Sequence, residues 1–167
     1  MSLRPAIRVF AASFAATLVL TGCGRADETS NEAPPPYVEA SRLTWTLVDS
    51  EEGAALVLLG EGDRQVLHLA CMPDPARMQV IASDISVIGS EERMTLGVAD
   101  EAFGFVADTM RGGPGVRAEA AIDPRFLEHL SRTADISAIY GAQQVGPWPA
   151  PPEGQRLTFV QRCSGLS

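Results

Sequence analysis

The sequence predicts a mostly β protein, built as a single antiparallel sandwich or barrel with one short helix and one disulfide. Apolar and polar residues alternate with a period of two along much of the chain after Leu43, which is typical of strands with one face on a core. Turn signals separate these stretches about every eight to twelve residues. A composition of 46% hydrophobic and 20% charged residues is that of a globular protein, and 167 residues leave room for one domain, which we place at 41–167.

The predicted strands follow this alternation in chain order. The first contains Leu43, Trp45 and Leu47, and the last, "LTFVQRC", ends on Cys163. The stretch "GEGD" at 60–63 is one of the turn signals. The strands between the first and the last are predicted at 66–71, 77–82, 94–98, 103–107, 116–122 and 136–140.

One helix is predicted after the strand at 116–122. Asp123 suits the N-cap and Pro124 the first helical position. Phe126, Leu127 and Leu130 then share one face of the helix. Because a helix this short is marginal alone, we expect it to lie on the sheet or to close one end of a barrel.

Residues 1–22 have the organisation of an export signal. Arg4 and Arg8 come first, and the stretch from Val9 to Leu20 that follows is apolar or small throughout except for one serine. This run of about 12 residues is shorter than the roughly 20 needed to span a bilayer, but it suits the apolar core of a signal peptide. The run leads directly into Cys23.

The stretch "LTGC" at 20–23 resembles the lipobox of bacterial lipoproteins, in which a branched or long apolar residue stands three places before the cysteine and small residues fill the places between. The resemblance implies that the Cys23 thiol carries a diacylglycerol, that the chain is cut before Cys23, and that the new amino terminus carries a fatty acid such as palmitate. Several acyl chains give stable attachment where one gives reversible binding. A glycine rather than an aspartate at position 24 implies delivery to the outer membrane. We therefore expect a lipid-anchored protein of the cell envelope, at the periplasmic face or the surface.

Residues 23–40 are predicted to be the lipidated cysteine and a disordered tether. The stretch 24–39 contains acids, small polar residues and three consecutive prolines, but too few apolar side chains to form a core. At about 3.1 Å per residue, a tether of this length would hold the domain at most about 50 Å from the membrane.

The cysteines divide between two roles. If Cys23 carries lipid, Cys71 and Cys163 remain as an even pair in an oxidising compartment, and we predict a disulfide between them. Each ends a predicted strand, so both side chains could point the same way from neighbouring strands. The order of a strand with a tryptophan, a strand ending on a cysteine, a late helix and a terminal strand with a cysteine is similar to that of small periplasmic β domains such as the invasion-associated locus B group.

A zinc site is the alternative use of this cysteine pair, with His68 and His129 as further ligands. The spacing disfavours it, because His68 and Cys71 are three residues apart on a predicted strand and therefore point to opposite faces. We expect no metal and no cofactor. His68 is predicted on the outer face of the sheet, and His129 on the solvated face of the helix.

The charge of the chain disfavours several functions. All 13 basic residues are arginine, which excludes lysine chemistry. Loss of residues 1–22 would remove two arginines and lower the formal net charge from −8 to −10. A surface this acidic repels nucleic acid and anionic lipid, so membrane attachment must come from the anchor.

The remaining features favour binding over catalysis. Two histidines and the lack of a Gly-x-Ser-x-Gly motif give little basis for nucleophilic chemistry, and adjacent acids in turns are typical of solvated surface. The possible partner-binding residues are Arg111 and Arg117, which flank the loop "RGGPGVR", and Trp148, which either covers the core edge or is exposed to a partner. We predict a non-enzymatic binding or envelope-support module with a protein or envelope partner. The alternatives are a periplasmic inhibitor of a lytic enzyme or protease, and a hydrolase with carboxylate chemistry.

Overall fold

The computed structural model of the chain describes residues 43–110, 112–132 and 135–166. The strands in these residues are β1 (Thr44–Ser50), β2 (Gly53–Leu59), β3 (Gln65–Pro73), β4 (Ala76–Ala82), β5 (Arg93–Val98), β6 (Glu101–Ala107), β7 (Val116–Ala120), β8 (Ile136–Tyr140) and β9 (Gln143–Trp148). The helices are α1 (Pro124–Ser131) and α2 (Glu153–Ser164). The strands form one antiparallel sheet in the order β1-β2-β3-β4-β7-β6-β5-β8-β9. The prediction of a mostly β, antiparallel fold is therefore confirmed.

The sheet has an inner face, which the helices cover, and an outer face toward solvent. Alternate residues of the strands point inward and form the core together with apolar residues of both helices. Leu56, Leu58, Leu67, Leu69 and Leu96 of this face are completely buried. Each such leucine stabilises the fold by about 1.5–3 kcal/mol relative to an exposed position. The period of two in the sequence is therefore the alternation between these two faces.

Strands β2 and β9 lie outside the sequence prediction. The β2 sequence, "GAALVLL", is apolar or small at every position, so no alternation is visible, although the structure fully buries only every second residue. In β9, Gly146 has a φ of 87° and Pro147 follows it. Both residue types are unusual inside strands, and β9 accommodates them because it is the edge of the sheet.

The two outermost strands of the sheet approach each other. The indole N–H of Trp45 in β1 donates a hydrogen bond to the carbonyl oxygen of Pro149, the residue after β9, over 2.8 Å. Trp45 and Trp148 are both buried in the core. The sheet therefore curls around its inner face.

Helix α1 begins where the sequence predicts. The Asp123 carboxylate accepts a hydrogen bond of 2.8 Å from the backbone N–H of Arg125, and Pro124 occupies the first turn. An N-cap of this kind stabilises a helix by about 1 kcal/mol. Phe126 and two leucines of α1 are buried, as expected for the helix face that packs on the sheet.

The prediction of a strand ending on Cys163 is wrong, because this segment is the second helix, α2. The buried residues of α2 are Arg156, Phe159 and Cys163, spaced by three and four residues, whereas Leu157 is 44% exposed. Leu157 and Phe159 are two residues apart, which resembles the alternation of a strand, but in the helix Leu157 lies on the exposed face and Phe159 on the buried face. No helix in the described part of the chain is long and apolar enough to cross a membrane.

The predicted disulfide between Cys71 and Cys163 is confirmed. It does not join neighbouring strands, however, since Cys71 lies in β3 and Cys163 in α2. The two Cα atoms are 5.6 Å apart, and both side chains are buried. The bridge therefore fixes the last helix to the inner face of the sheet.

A buried arginine joins the two helices. The Arg156 Nε donates to the carbonyl oxygen of Ser131 over 3.1 Å, and its Nη1 donates to that of Pro151 over 3.2 Å. Ser131 is the last residue of α1, where the helix dipole places partial negative charge. Arg156 is only 6% exposed. The guanidinium thus ties the end of α1 to the start of α2.

Candidate functional site

The pairing between β6 and β7 stops halfway along β6. Only two residue pairs join these strands, Val106 with Glu119 and Ala107 with Ala118. By contrast, six pairs join β6 to β5, and five pairs join β7 to β4. The first half of β6 is therefore a free strand edge inside the sheet.

Two hydrogen bonds fix the direction of the β6 backbone. The Ala107 N–H donates to the carbonyl oxygen of Glu92, on the β5 side, over 2.8 Å, and the Asp108 N–H donates to the carbonyl oxygen of Arg117, on the β7 side, over 2.8 Å. Backbone groups of successive strand residues point to opposite sides. Every second residue counted back from Asp108 therefore directs its N–H and C=O toward β7.

Ala102 and Gly104 are the residues of this series that face the gap. No residue in the described parts of the chain pairs with their N–H or C=O groups on the β7 side. A continued ladder would have joined Gly104 to Ala121, two residues beyond the last hydrogen-bonded pair. Four backbone groups of β6 are thus open to a ligand.

The ladder ends because the chain leaves the sheet to begin α1. The sequence alternation predicts a strand at 116–122, but β7 ends at Ala120. Ile122 is buried, Asp123 caps the helix, and Pro124 has no N–H to donate. Residues 121 and 122, which the sequence predicts as the end of this strand, therefore connect the sheet to the helix instead.

A cleft of about 460 Å³ occupies the gap. We call it the strand-gap cleft; it is lined by 102–105 of β6, by 120–126, and by Met78 of β4. Small side chains at Ala102, Gly104 and Ala121 form its exposed rim. The cleft leads from the outer surface toward the core.

Three aromatic rings lie at the inner end of the strand-gap cleft. The ring centroids of Phe103 and Phe126 are 5.2 Å apart at 87°, and those of Phe105 and Phe126 are 6.2 Å apart at 82°. Such edge-to-face pairs add about 0.5–1.5 kcal/mol to the burial of their area. They make the inner end of the cleft apolar.

Acidic groups outnumber basic ones around the cleft. Arg125, which lines the cleft, pairs with the neighbouring Glu101 over 3.2 Å. Asp123 adds a further carboxylate in the lining. The cleft thus combines an apolar inner end, open backbone groups and an acidic surround, which suits binding of a polar backbone with an apolar side chain.

The predicted partner-binding residues lie elsewhere. Arg117 is half-buried on the outer face of β7, opposite Ile81, which is in turn opposite His68 of β3. Burial, and secondarily the positive charge of Arg117, hold the pKa of His68 below its ordinary value. Arg111 and Cys23 lie outside the described residues.

Trp148 belongs to the core. Its side chain is 6% exposed, so of the two alternatives for this residue the structure has the first, in which the ring covers the core edge. Its edge lines a separate groove of about 560 Å³ together with Leu43 and Arg64. The structure therefore does not have the exposed tryptophan of the second alternative, and partner binding by Trp148 stays a prediction.

The histidines do not join the cysteines. His68 lies on the outer face of β3 and Cys71 on its inner face, as the spacing predicts. The His129 ring lies 5.9 Å from that of Phe103, so it is partly covered rather than fully solvated. Within the described residues, no group of three His, Cys, Asp or Glu side chains is placed to hold a metal ion.

Sequence reasoning missed the strand-gap cleft. A signal for it exists in the β6 sequence "EAFGFVA", where alanine and glycine occupy outward positions, and in the helix start that follows β7 so closely. Neither signal shows which neighbour β6 would have, because the pairing of β6 with β7 is a long-range contact.

Comparisons with protein-family models, with curated proteins and with solved structures found no match to this chain.

Proposed function

We propose that this chain is a non-enzymatic binding module of the cell envelope, held at a membrane through lipid on Cys23, and that it binds its partner in the strand-gap cleft. The single observation that carries the proposal is the interrupted ladder between β6 and β7. An unpaired strand edge is a template for association unless it is covered or blocked. Here the edge is neither, since Ala102 and Gly104 are exposed.

The physical cost of leaving this edge open supports a binding role. Backbone N–H and C=O groups that lack partners are stabilised only by water, and most folds close such a gap. The strand-gap cleft keeps four of them beside an apolar end formed by Phe103, Phe105 and Phe126. A partner that supplies both hydrogen bonds and apolar surface would satisfy the two halves of the cleft together.

The inhibitor alternative is less well supported. It would use Trp148 or the loop at 111–117 as the element that blocks an enzyme. Burial of Trp148 removes its ring from the surface. We therefore favour a module that receives a segment of its partner over one that inserts a loop of its own.

Site-specific crosslinking in membranes tests this proposal. A β-carbon placed on Gly104 would have no atom within 4 Å, so a photo-reactive benzoyl-phenylalanine fits at position 104. Ile139, which is 40% exposed on the outer face of β8, is the matched control position. Both variants are expressed as the full chain, irradiated in intact cells and separated by mass.

We expect position 104 to form a discrete adduct with one partner at a fixed stoichiometry, and position 139 to form none with that partner. In isolated membranes, addition of purified full-length wild-type protein, which lacks the photo-reactive residue, should reduce the yield of this adduct. Equal adducts from both positions, or none from position 104, would show that the cleft is not the binding site.

A further inference from the structure

We infer that the occupant of the strand-gap cleft is an extended peptide segment that adds to β6 as a strand, with an apolar side chain over the aromatic rings and positive charge at its ends. This inference rests on the proposed function and names the chemistry of the partner. It follows from three features of the cleft: the direction of its open backbone groups, the room beside them, and its charge.

The open backbone groups have the spacing of a strand ladder. Ala102 and Gly104 each direct one N–H and one C=O toward the gap, and they are two residues apart. In an antiparallel ladder, hydrogen-bonded pairs recur at every second residue. A peptide of three or more extended residues can therefore satisfy all four groups, whereas a compact ligand would reach only some of them. Strand addition to a free edge gives affinity through the main chain and specificity through alternate side chains.

The room beside the edge suits the alternating side chains of such a peptide. On the outer side, a β-carbon at Gly104 would meet nothing within 4 Å, so no side chain blocks the approach. On the inner side, the cleft of about 460 Å³ leads to Phe103 and Phe105. One side chain of an added strand would enter this cleft, and its two neighbours would point outward. The inward side chain must be apolar because the cleft ends on aromatic rings.

The charged residues at the strand-gap cleft favour a cationic peptide. Asp123 lines the cleft, and Arg125, the arginine of its lining, is already paired with Glu101 beside it. The whole chain carries a formal net charge of −8. Positive residues at the peptide ends would therefore be attracted and acidic ones repelled, an effect that salt weakens.

The test uses the purified full chain, labelled with ¹⁵N, and a synthetic peptide of seven residues that alternates valine and alanine between two terminal arginines. Binding is followed through the amide signals of Ala102 and Gly104. Two control peptides accompany it: one with glutamates in place of the arginines, and one with N-methyl groups on the backbone nitrogens that would face β6.

Two protein variants form a matched pair. Gly104→Pro removes the N–H that faces the gap and fills its place with the ring, but it breaks no bond to β5, because that N–H points toward β7. Gly104→Ala keeps the N–H. The φ of Gly104 lies outside the left-handed region, so alanine at this position forces no strained backbone. Proline in addition holds φ near −65°, so the folding of Gly104→Pro is checked by its amide spectrum before binding is measured.

We expect the arginine peptide to shift the two amide signals. The N-methylated peptide should bind about tenfold more weakly or worse, and Gly104→Pro should bind the arginine peptide at least about tenfold more weakly than Gly104→Ala, which keeps the N–H. The glutamate peptide should bind more weakly than the arginine peptide, with a difference that shrinks as salt rises. If Gly104→Pro fails to fold, the N-methylated peptide on the wild-type chain decides the question.

Each negative result contradicts a different part of the inference or of the proposed function. Equal binding of the N-methylated and unmodified peptides would overturn strand addition while leaving the cleft as an apolar binding site. Equal binding of the two charged peptides would overturn the charge preference. No shift with any peptide, together with a discrete adduct from position 104 in cells, would overturn the peptide inference alone, whereas loss of that adduct as well would overturn the proposed function.

Discussion

Removal of the disulfide gives the largest stability change that we expect of this domain. The change is replacement of both Cys71 and Cys163 by alanine, so that no buried free thiol is left. The bridge closes a loop across a sequence separation of 92 residues. In the chain-entropy description, a loop of this length limits the unfolded chain enough to stabilise the native state by about 4.6 kcal/mol at 25 °C.

The expected shift in melting temperature follows from the size of the domain. An unfolding entropy of about 2.1 cal/mol/K per residue over about 125 residues gives about 0.26 kcal/mol/K. A loss of about 4.6 kcal/mol then lowers Tm by roughly 18 °C. The loss is a large part of the roughly 5–15 kcal/mol that stabilises a typical domain.

Urea unfolding followed by tryptophan fluorescence measures this change, because Trp45 and Trp148 are both buried in the native state. Cys23→Ser is the matched control, since it removes a cysteine outside the bridge and should leave the unfolding free energy unchanged. A loss below about 1 kcal/mol in the double alanine variant would refute the reasoning, because the unfolded chain would then have little loop entropy for the bridge to remove.

Three further predictions concern single residues. Arg156→Met should lower the unfolding free energy by about 2–4 kcal/mol, because it leaves the carbonyl oxygens of Ser131 and Pro151 without their charged donor. Cys23→Ser should release the protein from membranes, as measured by fractionation, because the lipid would have no thiol to attach to. His68→Gln should remove part of the acid sensitivity of the fold. Since the folded pKa of His68 is lowered, its stabilising contribution is present above the unfolded pKa of about 6.5 and is lost as the pH falls from there through the folded pKa.

Each of these has a result that would contradict it. For Arg156, the lysine variant is the control, and a methionine variant as stable as wild type would show that the two carbonyl groups find water instead. For Cys23, an unchanged distribution between membrane and soluble fractions would disprove the anchor. For His68, wild type and variant are compared by urea unfolding between pH 5 and pH 8, and parallel pH profiles would show that His68 does not titrate differently on folding.

The inward residues of the sheet are the part of the fold that local sequence predicts best. Strands β3 to β8 follow the alternation of apolar residues, because the side-chain period of a strand is fixed by its backbone. The start of α1 follows from Asp123 and Pro124 for an equally local reason. Where both faces of a strand are apolar, as in β2, the same local rule gives no signal.

The error at α2 has a physical cause of the same kind. A short segment with Leu157, Phe159 and Cys163 fits both a period of two and a helical face, so its conformation depends on what it packs against. The contact of Arg156 with the end of α1 and the bridge to β3 both favour the helix. Glu153 in the first turn and Gly165 after the last are the local signals that agree with it.

The sequence by itself determined the β class, the inward faces of most strands, the cap of α1 and the pairing of Cys71 with Cys163, since each depends on residue type or on neighbours a few places away. It also carries the prediction of a lipid anchor at Cys23. The tertiary structure alone decided that Trp148 is core and that β6 has an unpaired half beside β7. The neighbours of a strand are determined by contacts between residues that are distant in the chain. The gap arises because β7 ends at Ala120, where the chain leaves the sheet toward α1, so no residue in the described part of the chain pairs with Gly104 on that side.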